Sequence, residues 1–247
     1  MTSTVTARSK GLPAGGNRRK KRRPSWRRKA FAVVAIVLVL ALVAGGLWIV
    51  YFSTLSATKR VNVAGTHQLT PTQVSFAVQI RMGVPLARQN LDEIAQRAMT
   101  LSAIESATAR RHWPNTIIVT IVERRPVFGI HQPDGYLLVD KSGVAYQTQQ
   151  SLPPDVVLAN VDASNAPLLG EVAGVAAALP DKLRRKVDLI AASSRDNVVL
   201  ILATGRRVTW GSATDSELKA QVVTALLKRK PKLSSIDVSS PHNPAVK

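Results

Sequence analysis

The 247-residue chain contains no cysteine. This absence excludes disulfide bridges and zinc sites built from thiolate ligands. The four histidines, His67, His112, His131 and His242, are scattered along the chain. None shows the i, i+4 spacing that places two histidines on one face of a helix to hold zinc. The sequence therefore predicts no metal site.

Motifs that carry catalysis are absent as well. The chain has no GxxxxGK or GxGxxG loop to bind phosphate and no GxSxG turn to present a nucleophilic serine. Four acids, Asp134, Asp140, Asp155 and Asp162, fall at predicted turns or strand ends, where turn geometry explains them better than acid–base catalysis. We expect no enzyme and no cofactor, although a catalytic set assembled from distant residues stays open.

One long apolar run, Phe31–Phe52, contains no charge, no proline and no amide side chain. As a helix it spans roughly 33 Å, enough for a hydrocarbon core of about 30 Å. We therefore predict a single transmembrane helix over residues 31–52. A cleaved signal peptide is the alternative, but its apolar part is usually about 7–15 residues long and is followed by a small-residue cleavage site.

Residues 1–30 carry eleven lysines and arginines and no acid. We predict a disordered basic tail that stays in the cytoplasm, with the large C-terminal part outside. The tail is expected to bind anionic membrane lipids. Nucleic-acid binding is the alternative, suggested by the net charge of +19. However, the rest of the chain has 23 basic and 15 acidic residues, so no nucleic-acid partner is expected.

The segment 59–126 reads as a compact β-α-α-β-β module with a three-stranded sheet. Thr70-Pro71 is a helix start, with threonine as the N-cap and proline in the first helical turn. Asn90 begins a second helix, with Glu93 three residues on as in a capping box. The three predicted strands are Val61–Gly65, Ile104–Arg111 and Thr116–Glu123.

The segment 127–240 reads as a mixed β-sheet domain with flanking helices, so the whole fold class is α+β. One predicted helix covers Glu171–Leu179, and another opens at Thr214 with Leu218, Val222, Ala225 and Leu226 on its apolar face. The predicted strands are Val127–His131, Tyr136–Asp140, Val144–Tyr146, Val156–Val161, Val187–Ala192, Val198–Ala203, Arg207–Trp210 and finally Ile236–Val238. Residues 241–247 are predicted to be a polar C-terminal tail.

Three stretches of the chain are distinctive in sequence: RVNVAG followed by Thr70-Pro71, WPNTIIVTIVERRP beginning at Trp113, and YLLVD with Gly143. Together they resemble the bacterial cell division family FtsQ/DivIB. The first is similar to the start of that family's POTRA domain, a β-α-α-β-β unit outside the membrane. The second is the most specific match, and the third resembles a family hairpin. The resemblance covers about residues 59–238. A composition rich in alanine, arginine and valine also favours an actinobacterial source.

The resemblance implies a non-enzymatic scaffold in the cytoplasmic membrane, enriched at the division septum. Such proteins link early division components to septal peptidoglycan synthesis through the bitopic partners FtsB and FtsL. The family binds its partner by adding a strand to a sheet edge, which requires unpaired main-chain groups. The expected edge is Ile236, Asp237 and Val238, with Leu218, Lys219 and Val222 of the preceding helix in support.

Two alternatives remain at this point. The strand Ile236–Val238 could be the last core strand with no partner role. The protein could also be a membrane-anchored extracytoplasmic cell-wall enzyme or ligand-binding module. In addition, family members often carry an arginine after this strand, where Ser239 stands here. The resemblance therefore does not decide whether a partner surface extends beyond the strand.

Overall fold

The structure is a computed structural model and describes residues 26–229 and 234–247. The chain divides between Val50 and Tyr51 into two compact units. The larger unit contains two hydrophobic cores, one for each module predicted above. Most of the predicted disordered tail, residues 1–25, lies outside the described residues.

The N-terminal helix α1 extends over Trp26–Phe52. Within it, Arg28–Phe52 is the only segment of the described residues long and apolar enough to cross a membrane. The helix starts five residues before the apolar run, so the expectation of no helix before Phe31 is wrong for Trp26–Ala30. Arginine, lysine and alanine have high helix propensity, which lets an established helix continue into the basic flank.

The first module, residues 59–126, has the predicted β-α-α-β-β order. Its three-stranded sheet has the order β1-β3-β2, with β1 parallel and β2 antiparallel to the central β3. Both helices pack toward the sheet, and Val74, Val78 and Ile94 are fully buried beneath it. The elements are β1 (Arg60–Ala64), α2 (Pro71–Val78), α3 (Leu91–Ala98), β2 (Ile104–His112) and β3 (Thr116–Glu123).

The helix starts of this module follow their local signals. Thr70 accepts a hydrogen bond from the Gln73 main-chain N–H, and the Gln73 side chain accepts one from the Thr70 N–H, a complete capping box. Asn90 accepts from the Glu93 N–H at 3.3 Å. Each cap satisfies N–H groups that the first helical turn leaves without a partner. Both predicted helix starts are confirmed.

The second module contains one nine-stranded mixed sheet in the order β12-β11-β10-β9-β8-β7-β4-β5-β6. Three helices flank it: α4 (Ala166–Ala178), α5 (Asp181–Arg184) and α6 (Ser216–Arg229). The strands are β4 (Pro126–Gln132), β5 (Gly135–Asp140), β6 (Ala145–Gln149), β7 (Val157–Asn160), β8 (Val187–Ser194), β9 (Asn197–Leu202), β10 (Arg207–Gly211), β11 (Ser235–Asp237) and β12 (Ala245–Val246).

Three details of this module differ from the sequence prediction. Helix α4 starts at Ala166, five residues early, because Asn165 caps it and Pro167 lies in the first turn. The short helix α5 was not predicted. Strand β12 falls in the stretch predicted to be a polar tail, and its pairing with β11 changes the edge of the sheet.

The helix α6 also turns a different face to the core. Its buried residues are Ser216, Lys219, Ala220 and Val223, which follow the i, i+3, i+4, i+7 spacing of one helical face. Leu218 and Val222, which belong to the predicted apolar face, are only half-buried. Pattern recognition favoured the leucines because a lysine is rarely placed in a core.

Candidate protein interface

Strand β11 is not the outermost strand of the sheet. It pairs in parallel with β10 on one side and antiparallel with β12 on the other. The expectation that Ile236–Val238 forms the open edge is therefore corrected, since β12 covers it in this structure. Ile236 and Val238 are fully buried, and only Asp237 of the three is half-exposed.

The main-chain groups of β11 alternate between its two neighbours, as the pleat of a strand requires. The Val238 N–H donates to the Thr209 carbonyl at 2.9 Å, so this group holds β11 to the interior of the sheet. The Ser235 N–H instead donates to the Lys247 oxygen at 3.1 Å, and the Lys247 N–H donates back to Ser235 at 3.0 Å. The main-chain groups of Ser235, and those of Asp237 two residues later, therefore point away from β10, and a partner strand would pair with them.

The residues after β11 form a short hairpin, which we call the return segment (residues 239–247). The Asp237 carboxylate accepts from the Ser239 N–H at 2.9 Å and from its hydroxyl at 2.7 Å, which starts the reversal. The Asn243 N–H donates to the Ser240 carbonyl at 3.0 Å across Pro241. Sequence reasoning missed this hairpin, although Ser240-Pro241 followed by Asn243 is a turn signal that could have found it.

The helix beside this edge offers less side-chain surface than expected. Leu218 and Val222 are half-buried at the margin of the core. Lys219 is 1% exposed, and its ammonium donates to the Ser212 carbonyl at 2.9 Å. Burial lowers the pKa of Lys219, while the nearby carboxylates of Asp215 and Glu171 act in the opposite direction. Lys219 therefore anchors the turn before α6 and is not a surface contact.

Substitution of Lys219 distinguishes a role in anchoring the turn before α6 from a role in contacting a partner. We expect Lys219→Ala to lower the free energy of unfolding by roughly 2–4 kcal/mol, because it opens a cavity and leaves the Ser212 carbonyl without its donor. Urea unfolding of the full chain in detergent measures this. The control is Gln221→Ala, exposed on the same helix, with an effect of about 0.5 kcal/mol at most. A stable Lys219→Ala protein that loses partner binding would contradict the anchoring role.

The junction between the two modules brings together two motifs that are distant in sequence. The Arg124 guanidinium forms an ion pair with the buried Asp140 carboxylate and donates to the Ser102 carbonyl at 3.0 Å. A second ion pair joins Lys141 to Glu105 at 3.1 Å. Charged groups of the first module are thus bonded to the end of β5 and to the turn that follows it in the second module. The two modules are held to each other by side chains as well as by the chain itself.

Tyr146 completes this junction from strand β6. Its hydroxyl lies 3.4 Å from the Arg124 carbonyl oxygen, a long hydrogen bond. Burial and the neighbouring Asp140 carboxylate raise the pKa of Tyr146 to about 12. The phenol is therefore a neutral donor throughout the physiological range.

Glu123 closes the first module. Its carboxylate accepts three main-chain N–H bonds, from His67 at 2.9 Å, Gln68 at 2.8 Å and Leu69 at 2.9 Å. Partial burial tends to raise the pKa of Glu123, but these hydrogen bonds outweigh it and hold the pKa below its ordinary value. The ionised carboxylate thus fixes the loop that leads into helix α2.

This arrangement predicts a pH dependence. Because the pKa of Glu123 is lowered on folding, its stabilising contribution is present above about pH 4.3 and is lost as the pH falls through the folded-state value. We expect Glu123→Gln to cost roughly 1–3 kcal/mol at pH 7 and progressively less below pH 4. Unfolding curves at stepped pH measure the difference. Glu217→Gln, at an exposed position, should show no such convergence, and a constant cost for Glu123→Gln at all pH values would contradict this account.

No group of three or more histidine and acidic side chains suited to a metal occurs in residues 26–229 and 234–247. The features that stand out there are main-chain edges, a buried lysine and a charged junction. Such an arrangement suits the binding of another protein chain and the fixing of domain geometry.

Comparison with known proteins agrees with this architecture. Residues 56–124 match the family described as POTRA domain, FtsQ-type. Residues 130–239 match the family described as cell division protein FtsQ/DivIB, C-terminal. The chain belongs to the FtsQ/DivIB family. Between the two matched ranges lie Arg125 and the first four residues of β4, at the module junction.

Relatives within the FtsQ/DivIB family cover nearly the whole chain. The cell division protein FtsQ of Streptomyces venezuelae is 36% identical over 96% of this chain and 92% of its own length. FtsQ of Streptomyces coelicolor is 32% identical over 86% of each chain. FtsQ of Mycolicibacterium smegmatis is 34% identical over 89% of this chain and 65% of its own length. These relatives support the actinobacterial character expected from the composition.

Membership in the FtsQ/DivIB family assigns the protein to bacterial cell division. The single apolar helix α1 fits a single-pass membrane protein of this family. The sequence match to the family, made on the WPNT–ERRP and YLLVD stretches, is confirmed. In the structure these stretches contain strand β3, the Glu123 carboxylate that binds the loop before α2, and the Arg124–Asp140 ion pair at the module junction.

Proposed function

We propose that this protein is a non-enzymatic scaffold of the division machinery that binds FtsB/FtsL-like bitopic partners by strand addition. Through them it links early division proteins to septal peptidoglycan synthesis. The observation that carries the proposal is the weakly covered end of the nine-stranded sheet, where β11 is bordered on its outer side only by β12. Strand β12 has two residues with exposed side chains, and the main-chain donors and acceptors of β11 that it uses could serve a longer partner strand.

The exposed residues of α6, the helix that connects β10 to β11, are further candidate contacts. Glu217, Gln221 and Lys228 are exposed, and Glu217 and Gln221 directly precede the half-buried Leu218 and Val222. A partner strand at β11 that continues into a helix or loop can contact them. We therefore propose Leu218 and Val222 as side-chain contacts of the partner. The strand that would receive the partner comprises Ile236, Asp237 and Val238. Lys219 is no longer a candidate contact, because its side chain is buried.

The proposal includes a topology. The basic residues that precede α1 favour a cytoplasmic N-terminus, and the two modules then lie outside the cytoplasmic membrane. The basic flank binds anionic lipid headgroups, each cation near the surface contributing about 1 kcal/mol. Enrichment at the septum follows if the partners are septal, and a fluorescent fusion that labels the whole membrane uniformly would contradict it.

Site-specific crosslinking tests the edge, because a chain without cysteine accepts a single reactive thiol anywhere. A photoreactive benzophenone label is attached to the single cysteine of each of three variants. Ser234→Cys carries it beside β11, Thr148→Cys on β6 at the opposite end of the sheet, and Thr108→Cys on the outer strand β2 of the first module. The partner is the extracytoplasmic segment of the FtsB-like protein from the same bacterium.

We expect crosslinks to the partner from position 234 and none above background from positions 148 and 108. Equal labelling from all three positions would indicate non-specific association. Crosslinks from position 148 alone would move the interface to β6, and crosslinks from position 108 alone would move it to the first module.

A further inference from the structure

The return segment occupies the place that the proposed partner strand would take. It lies antiparallel along β11, with Val246 opposite Ile236 and Ala245 opposite Asp237. The Lys247 oxygen accepts hydrogen bonds from the N–H groups of Ser234 and Ser235, at 2.8 and 3.1 Å. Two strands cannot use the same outward donors and acceptors of β11 at the same time.

The return segment is held by main-chain hydrogen bonds and a few exposed side-chain ones, among them the Ser234 hydroxyl, which donates to the Lys247 oxygen at 2.9 Å. Residues 242–247 are all exposed, including Val246 at 39%. Its paired strand has only two residues, whereas strands in sheets usually have about five or six. Few buried contacts and exposed main-chain hydrogen bonds are the features of a segment that opens locally at low free-energy cost.

The sequence of the segment keeps it close to β11 even when it opens. The Asp237–Ser239 hydrogen bonds and the Pro241 turn bring the chain back within nine residues. Such a short tether gives the segment a high local concentration at β11, so it competes with an incoming strand without needing high intrinsic affinity.

We propose that residues 239–247 are an intramolecular strand that closes the β11 edge and must leave before a partner strand pairs there. This inference rests on the proposed strand-addition function and concerns its regulation. Partner binding is then an exchange of one strand for another. Its apparent affinity is reduced by the fraction of molecules in which the edge is open.

A reversible disulfide tests the exchange within one protein. Ser235 and Lys247 are directly opposed and exchange two main-chain hydrogen bonds, a pairing with Cα atoms about 5.5 Å apart, which a disulfide can bridge. The double variant Ser235→Cys/Lys247→Cys would contain the only two cysteines of the chain. Oxidation fixes the return segment on β11, and reduction releases it.

The control disulfide is Ser194→Cys/Asn197→Cys, across the exposed β8–β9 turn. A third protein ends after Val238 and lacks the return segment. Binding of the FtsB-like extracytoplasmic segment to each of the three detergent-solubilised proteins, all of which retain α1, is measured by biolayer interferometry, after circular dichroism has shown that each protein is folded.

We expect the oxidised Ser235–Lys247 variant to lose at least 90% of partner binding and to regain it on reduction, while the control disulfide changes nothing. The shortened protein should bind about tenfold tighter than the intact chain. Equal binding by the oxidised and reduced forms overturns the closing role while leaving strand addition at another edge intact. Weaker binding by the shortened protein also overturns it, because β12 would then be part of the site. Absence of binding to every form, including the reduced and shortened ones, overturns the proposed function and this inference with it.

Discussion

Asp140→Ala should lower the free energy of unfolding by about 3–5 kcal/mol, one of the largest effects expected from a single substitution in this chain. Asp140 is 1% exposed, and its carboxylate accepts the N–H groups of Ser142 and Val144, both at 2.9 Å, besides its ion pair with Arg124. Alanine leaves the Arg124 guanidinium, whose side chain is 18% exposed, without its counterion. It also leaves two turn N–H groups without an acceptor.

Urea unfolding of the full chain in detergent gives the magnitude, and hydrogen exchange at the amides of Ser142 and Val144 gives the location. Asp162→Ala is the matched control, since Asp162 accepts the Ser164 N–H two residues on but is exposed. It should cause a much smaller loss. If both substitutions cost the same, the turn alone accounts for Asp140, and the ion pair across the junction contributes nothing measurable.

Gly65→Ala should destabilise the first module by about 3 kcal/mol or more. Gly65 has a φ of +88°, and a Cβ placed there would lie 2.1 Å from the Ile121 carbonyl oxygen of the central strand. The left-handed conformation costs about 1–2 kcal/mol for a residue with a Cβ. Separation of β1 from β3 to relieve the overlap adds a packing cost of about 1–3 kcal/mol.

The control for this substitution is Gly83→Ala. Gly83 has a similar φ of +78°, but no atom lies within 4 Å of the added Cβ. It should show only the conformational part, about 1–2 kcal/mol. The comparison is read from hydrogen exchange of β1 and β3 amides, which should accelerate in Gly65→Ala and stay near the parent rates in Gly83→Ala. Equal acceleration in both variants would contradict the steric contribution.

The parts of the fold that sequence predicted well depend on local signals. Thr70 and Asn90 marked two helix starts because capping is decided within four residues. Thr116–Glu123 was predicted with its observed bounds, since a β-branched run after a proline turn has few alternatives. The buried lysine and the short helix α5 were missed, because tertiary packing rather than local pattern places them.

The candidate site shows the same limit. The sequence located the strand near Ile236, but its position within the sheet depends on pairing with residues about ten positions later. Ala245–Val246 is too short to give an alternating pattern, so nothing in the local sequence indicates that it pairs. Likewise, the parallel pairings of β7 with β4 and β8 join segments tens of residues apart, and no periodicity determines them.

The order of strands in the second module has a consequence for how many proteins can be bound at once. Its two ends are β6, whose Tyr146 contacts the junction with the first module, and β12. With nine strands in hydrogen-bonded succession, eight spacings of about 4.8 Å separate them, or about 38 Å measured across the sheet. A chain bound at one end therefore does not exclude another at the far end. If the proposed partner pairs at the β12 end, the sheet would hold it about 38 Å from any chain at the β6 end.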